Sequence, residues 1–283
     1  MFMSRIGYLL IALVSFTGCS RLEKLTWEIT PEKWLATHSH MQIKIGSLNF
    51  IFAEPSSTFF VYGLGFVILA AGIFFLKTRG ESRSRLFWGI ALILWSLSTF
   101  SAGTSYQAFS YEIKCSGRSL CLWTSWWEIW YLMLFVAAMN VIAAAVSFSS
   151  AEGKLRKGLQ IFAAVSTIAY VILVLTGAFM PDYFLSSFEF MVMFPALSFL
   201  VLFVVNFLNY RKKHNRLDLL LIGAWVFMLF IVVAYFGFYL SGIADVLWSK
   251  GIWFNANDVL HLLLILWIVY LYYGVSRHIK DSD

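Results

Sequence analysis

Charge is scarce in this sequence. Only 13% of its 283 residues are Asp, Glu, Lys or Arg, about half the fraction that a soluble domain carries. That shortage excludes a water-exposed globule. There is no internal repeat, no low-complexity tract and no stretch that reads as a soluble catalytic domain. No acid or base falls near the middle of any long apolar run. This argues against a proton-coupled carrier or a channel with a continuous polar path. The last run, with no charge between His261 and Arg277, lacks a mid-span lysine, and a retinal-type photoreceptor is disfavoured for that reason.

What is abundant is apolar and aromatic: 60% and 19% of the residues respectively. Seven long runs stand out, roughly Phe59–Leu76, Leu86–Phe109, Trp126–Phe148, Leu159–Met180, Phe188–Asn209, Leu217–Leu240 and Val259–Val275. Each is near the ~20 residues a helix needs to cross the hydrocarbon core. The fold class is therefore all-α, a polytopic seven-helix membrane bundle. The expected division is 1–18 signal peptide, 19–58 exported segment, 59–276 membrane domain and 277–283 cytoplasmic tail.

The start, "RIGYLLIALVSFTGCS", has a basic residue, a short apolar stretch and small residues before Cys19. That pattern describes a secretory signal peptide. Its ending resembles a bacterial lipobox with Cys19 as the lipidated residue, although Phe16 departs from the usual Leu or Val. An uncleaved first anchor is the other reading. The exported segment, with "EKLTWEITPEKW", is expected to form a short amphipathic helix on the outer leaflet. His38 and His40 within it are weak metal candidates.

Lys and Arg cluster in alternate loops: "KTRGESRSR", "SSAEGKLRKG", "YRKKHNR" and the tail. All fall on one side of a seven-span chain, and that side should be cytoplasmic. The expected location is a bacterial inner membrane, N-terminus outside and C-terminus inside. Topology thus accounts for the net charge of +6, and no nucleic-acid partner is implied. Cys115 and Cys121, in "CSGRSLC", lie on the predicted oxidising side, where a disulfide is favoured over two free thiols. Without a second pair nearby, they are no zinc signature.

Polar groups gather at one level, the outer ends of the runs. The second run ends with Ser105, Tyr106, Gln107 and Glu112; the third begins with Ser125 and Glu128. The fifth begins with Glu189, the seventh with Asn255, Asn257, Asp258 and His261. Asn257 and Asp258 lie four and three residues before His261, on one helix face. Structural readings exist for each. Asp258 suits a first helical turn with Asn255 or Asn257 as N-cap. Glu128 sits in an aromatic belt at the membrane surface, and His261 has a neighbouring helix to bond. Asn140 and Asn206 read as cross-helix bonds, Pro195 as a kink and Asp218 as a first-turn acid.

Three segments carry a resemblance. "GTSYQAF" is similar to the Gly-Ser-aromatic-His segment of the CREST superfamily, with Gln107 in place of His. "WWEIWY" resembles its acid-bearing third helix, with Glu128 for Asp. "NDVLH" resembles its HxxxH, with Asn257 at the first His and His261 at the second. The superfamily includes alkaline ceramidases and the adiponectin and progestin receptors, and the likeness spans roughly Phe59 to Val275. It implies a seven-helix bundle around zinc or another divalent metal, whose bound water attacks a lipid amide or ester. On that basis His261, Asp258 and Gln107 would hold the metal. Glu128 would take the proton and Ser105 would bond the oxyanion, with Asn257, Asn255, Glu189 and Tyr106 around them. The partner would be a membrane lipid. With two histidines replaced, a non-catalytic lipid-binding, sensing or accessory protein of the same fold is the alternative.

Overall fold

The computed structural model describes residues 21–282; the expected signal peptide and Cys19 lie outside them. Among the described residues seven helices are long and apolar enough to cross a membrane: Pro55–Lys77, Arg83–Ala108, Trp126–Ser150, Gly153–Phe179, Phe188–Lys213, Arg216–Leu240 and Ala256–His278. They coincide with the seven apolar runs, and the chain is an all-α polytopic membrane protein. We label the helices in chain order with the shorter ones included. They are α1 Pro31–Thr37, α2 Pro55–Lys77, α3 Arg83–Ala102, α4 Ser110–Lys114, α5 Trp126–Ser150 and α6 Gly153–Phe179. After these come α7 Phe188–Lys213, α8 Arg216–Leu240, α9 Ile243–Ser249 and α10 Ala256–Tyr270.

Neighbour packing runs α2–α3–α5–α7–α8–α10 and back to α2, with α6 against the outside of α5. The six-helix ring is closed, and α3 and α5 are the most buried spans. At one end of the ring Trp88, Phe75, Ile68 and Trp267 are fully buried and fill the interior. In a bilayer every polar group must find a partner within the protein. Asn140 meets this need by donating to Thr167 on α6 and accepting from Ser198 on α7. Asn206 donates to Ser150 and Asp218 and accepts from Trp225. Both are the cross-helix links expected, and Asp218 also stands in the first turn of α8.

Small residues let α2 and α3 approach closely. A Cβ on Gly72 would meet Ile93 Cγ1 at 3.0 Å and the Gly89 carbonyl oxygen at 3.2 Å. At the basic end the tail is fastened. Asp281 accepts from Ser82 Oγ and the Arg83 and Ser84 amides, capping α3.

The segment before α2 is not the amphipathic helix alone. After the short α1 come two antiparallel strands, β1 (His40–Ile45) and β2 (Leu48–Ala53). Ile45 pairs with Leu48 across a two-residue turn, and Gly46 supplies its φ of 61°, as such hairpin turns require. Residues 25–29 are stitched to the loop before α5. Trp27 N donates to Cys121 O, Cys121 N to Ile29 O, and Trp123 N to Leu25 O. Cys115 and Cys121 are joined in a disulfide, and Glu112 accepts from Ile51 N of the hairpin at 2.7 Å. These segments form a cap over the end of the bundle opposite the basic loops.

Gly72→Leu is expected to overpack the α2–α3 contact and to cost about 1–3 kcal/mol. Gly63→Leu, whose Cβ would meet nothing within 4 Å, serves as control. Thermal unfolding in detergent checks this: the midpoint should fall for Gly72→Leu only.

Candidate functional site

Beneath the cap the ring encloses two chambers. The upper, of about 320 Å³, is lined by cap residues (Trp27, Trp34, His38, Trp123), by Glu54 and Lys114, and by the upper ends of α3, α5, α7, α8 and α10. The lower, of about 370 Å³, is walled by apolar side chains from all six ring helices, such as Leu64, Trp95, Phe135, Met191, Trp225 and Leu264. Ala102, Tyr131, Phe188, Tyr235, Leu260 and His261 line both. The more polar upper chamber therefore adjoins the apolar lower one.

Between α3 and α4 the helix widens into a π-helical turn, Gly103–Ala108. Such turns carry an extra residue and recur at functional sites. This one brings Tyr106 and Gln107 to the upper chamber. Gln107 is 5% exposed and its Oε1 has no hydrogen-bond partner. Across from it on α10, His261 is 9% exposed, and its Nδ1 also lacks a partner. Asn257, one turn earlier, lines the same chamber.

Glu128 and Lys114 form a buried ion pair at 2.9 Å. Glu128 Oε1 also accepts from Ser105 Oγ at 2.8 Å, and Ser105 lies 2.6 Å from Ser125 Oγ. The lysine ammonium lies 5.0 Å from the Tyr106 ring centroid and 5.6 Å from that of Trp27. These are cation–π distances. The carboxylate expected to take a proton thus holds a cation, and the serine expected to meet an oxyanion points its hydroxyl at that carboxylate.

Asp258 sits with Asn255 in a reciprocal cap at the start of α10. Its Oδ2 accepts from Asn255 N at 2.7 Å and from Ser56 Oγ at 3.1 Å. It faces the start of α2 and is not among the residues lining the chamber. So the face shared by Asn257 and His261 is open to the chamber, and Asp258 is turned aside from it. Among the described residues no three His, Cys, Asp or Glu side chains converge as a metal-holding group. Of the expected ligands, His261 and Gln107 line the upper chamber and Asp258 does not. His38 stacks on Trp34 at 4.2 Å, and its Nδ1 lies 2.9 Å from the Trp34 carbonyl. That acceptor makes Nδ1 the protonated nitrogen. Burial pushes the imidazole below its usual range.

Glu54 and Lys114 are the residues that the linear pattern left unmarked. Glu54 precedes α2 in the left-handed region, φ 41°, where a non-glycine side chain is held under strain. Its Oε2 is shut away from solvent and unpartnered. Burial, and next the charge of Asp258, push its carboxyl up to about 7; Asn255, Lys114 and Ser57 oppose the rise. Strain plus a buried acid was detectable only as an isolated Glu before "PSS". Lys114, with Arg118 four residues on, belongs to the sparse cations on the side away from the basic loops.

Two outcomes are expected. Lys114→Met leaves Glu128 buried without its cation, at a cost of about 3–5 kcal/mol. Adding Glu128→Gln should recover part of that loss, and a double-mutant cycle by denaturant unfolding measures the coupling. For Glu54, the folded chain binds more protons than the unfolded one between 4.5 and about 7. Its contribution is therefore a loss of stability as pH rises through that window. Melting curves from pH 4.5 to 8 should show this slope in the wild type and a flatter line in Glu54→Gln.

Residues 56–280 match the model of DUF6962, a family of unknown function. No curated protein and no solved structure matches the chain.

Proposed function

The chain belongs to DUF6962, a family of unknown function, so its activity has to be read from the site, and we propose that it binds a membrane amphiphile. The polar head occupies the upper chamber and the apolar tail the lower. One observation carries this reading: the two chambers adjoin, sharing Ala102, Tyr131 and His261 among the residues that line them. Ligand sites join a mostly apolar wall to a few convergent polar groups, and this pair of chambers separates the two along the axis of the bundle. In the same reading the cap faces the exported side of a bacterial inner membrane. The basic loops at the other end supply the positive-inside signal, and the disulfide lies in the cap, as an oxidising compartment favours.

Metal-dependent hydrolysis of a lipid amide or ester is the second reading. The unpartnered atoms His261 Nδ1 and Gln107 Oε1 favour it. A catalytic zinc site uses three protein ligands, and these two residues supply two. For that reason binding without hydrolysis stands first. Metal content by mass spectrometry, wild type beside His261→Ala, separates the readings: a stoichiometric divalent ion lost in the variant would replace binding by catalysis.

Ala102→Phe would fill the junction between the chambers. The wild-type chain should carry about one extractable amphiphile per copy by lipid mass spectrometry, and the variant should carry little while keeping its thermal unfolding transition. Equal content in both, or none in the wild type, would remove the reading.

A further inference from the structure

Taking that reading as its basis, the next question is which head the upper chamber accepts. Three acidic side chains line it, Glu54, Glu128 and Glu189, against a single ammonium, Lys114. That ammonium is already held by Glu128, which leaves no free cation among the described residues lining the chamber for a phosphate or sulfate head. Excess negative charge in a low-dielectric recess repels anions strongly.

The unpartnered atoms point the same way. Glu54 Oε2, Gln107 Oε1 and His261 Nδ1 are acceptors or act as acceptors in one tautomer. Buried acceptors without donors are costly, so the head that fits is one that brings donors or positive charge. The walls add aromatic faces: Trp27, Trp34, Tyr106, Trp123, Tyr131 and Tyr235. The protein demonstrates the chemistry with its own side chain, since Lys114 sits against two of these rings. Aromatic faces beside carboxylates are the usual recognition surface for alkylammonium groups.

We propose that the ligand is a cationic amphiphile, an amine or quaternary ammonium head on an apolar tail, with Glu54 and Glu189 as the counter-charges to the head and the aromatic walls as its cage. A cation beside Glu54 would also add to the partial relief that Lys114, Asn255 and Ser57 give that carboxyl against the neighbouring charge of Asp258. The lower chamber, lined by Leu64, Met191 and Leu264, takes the tail.

The test uses the full chain in nonionic amphipol, free of choline lipids, and four probes with the same tail: dodecyltrimethylammonium, dodecylamine, dodecanol and dodecyl sulfate. Tryptophan emission reports binding, since Trp27, Trp34 and Trp123 line the chamber. Subtracting the signal of Ala102→Phe removes partition into the amphipol. Both ammonium probes should bind roughly tenfold tighter than dodecanol, and dodecyl sulfate should bind weakest. Glu54→Gln and Glu189→Gln should each lower ammonium affinity more than alcohol affinity. Dodecanol or dodecyl sulfate equal to the ammonium probes would overturn the head-group inference and leave the amphiphile reading standing. No chamber-specific binding by any probe would overturn both. Where Ala102→Phe fails to fold, empty amphipol carrying free tryptophan octyl ester supplies the partition blank, and the wild-type ranking of the four probes decides the matter.

Discussion

The buried ion pair between Lys114 and Glu128 is the contact on which the site depends. Lys114 ends a short helix of the cap, next to the disulfide at Cys115, and Glu128 stands in the first turn of α5. The pair therefore fastens the cap to the most buried helix of the ring. Burying two charges costs several kcal/mol per ion, so they persist only with good geometry and further hydrogen bonds. Ser105 provides one such bond, and it comes from the π-helical turn that also presents Tyr106 and Gln107. One interaction thus sets the position of the cap, the α3 end and the α5 end at once.

The rest of the bundle obeys a simpler rule. Lipid offers no hydrogen bonds, so the polar side chains of the spans have to pair with one another or face a cavity. Toward the basic end Asn206 pairs with Ser150, Asp218 and Trp225. At the capped end several polar atoms are unpartnered. On the proposed reading, the unpartnered Glu54 Oε2, Gln107 Oε1 and His261 Nδ1 that face the upper chamber are the groups a ligand's head would satisfy.

Much of this was legible in the linear chain, for physical reasons. Apolar runs of spanning length announce themselves, and consecutive spans alternate direction, so polar residues at the ends of the second, third, fifth and seventh runs had to meet. Gln107, Glu128, Glu189, Asn257 and His261 all line the upper chamber. The directions of side chains were not legible. Asp258 and His261 share a face at i and i+3, yet the reciprocal cap with Asn255 turns the carboxylate toward α2. Ser105 keeps its place near Glu128 but spends its proton on it. Glu54 and Lys114 lie in the cap, where no helical period extends long enough to assign a face, and the β1–β2 hairpin was hidden for the same reason.

The π-helical turn at Gly103–Ala108 has one more consequence, for how such a chamber changes over time. An α-helix advances about 100° per residue, so the single surplus residue of this turn sets the heading of everything that follows it up to α5. Losing that residue would swing Tyr106, Gln107 and Lys114 around the helix axis and leave the helix below, Trp88 and Trp95 included, untouched. The part of the chain that lines the upper chamber is thereby separated, by one inexpensive insertion, from the part that holds the bundle together. Recognition and stability in this fold are free to drift on different clocks.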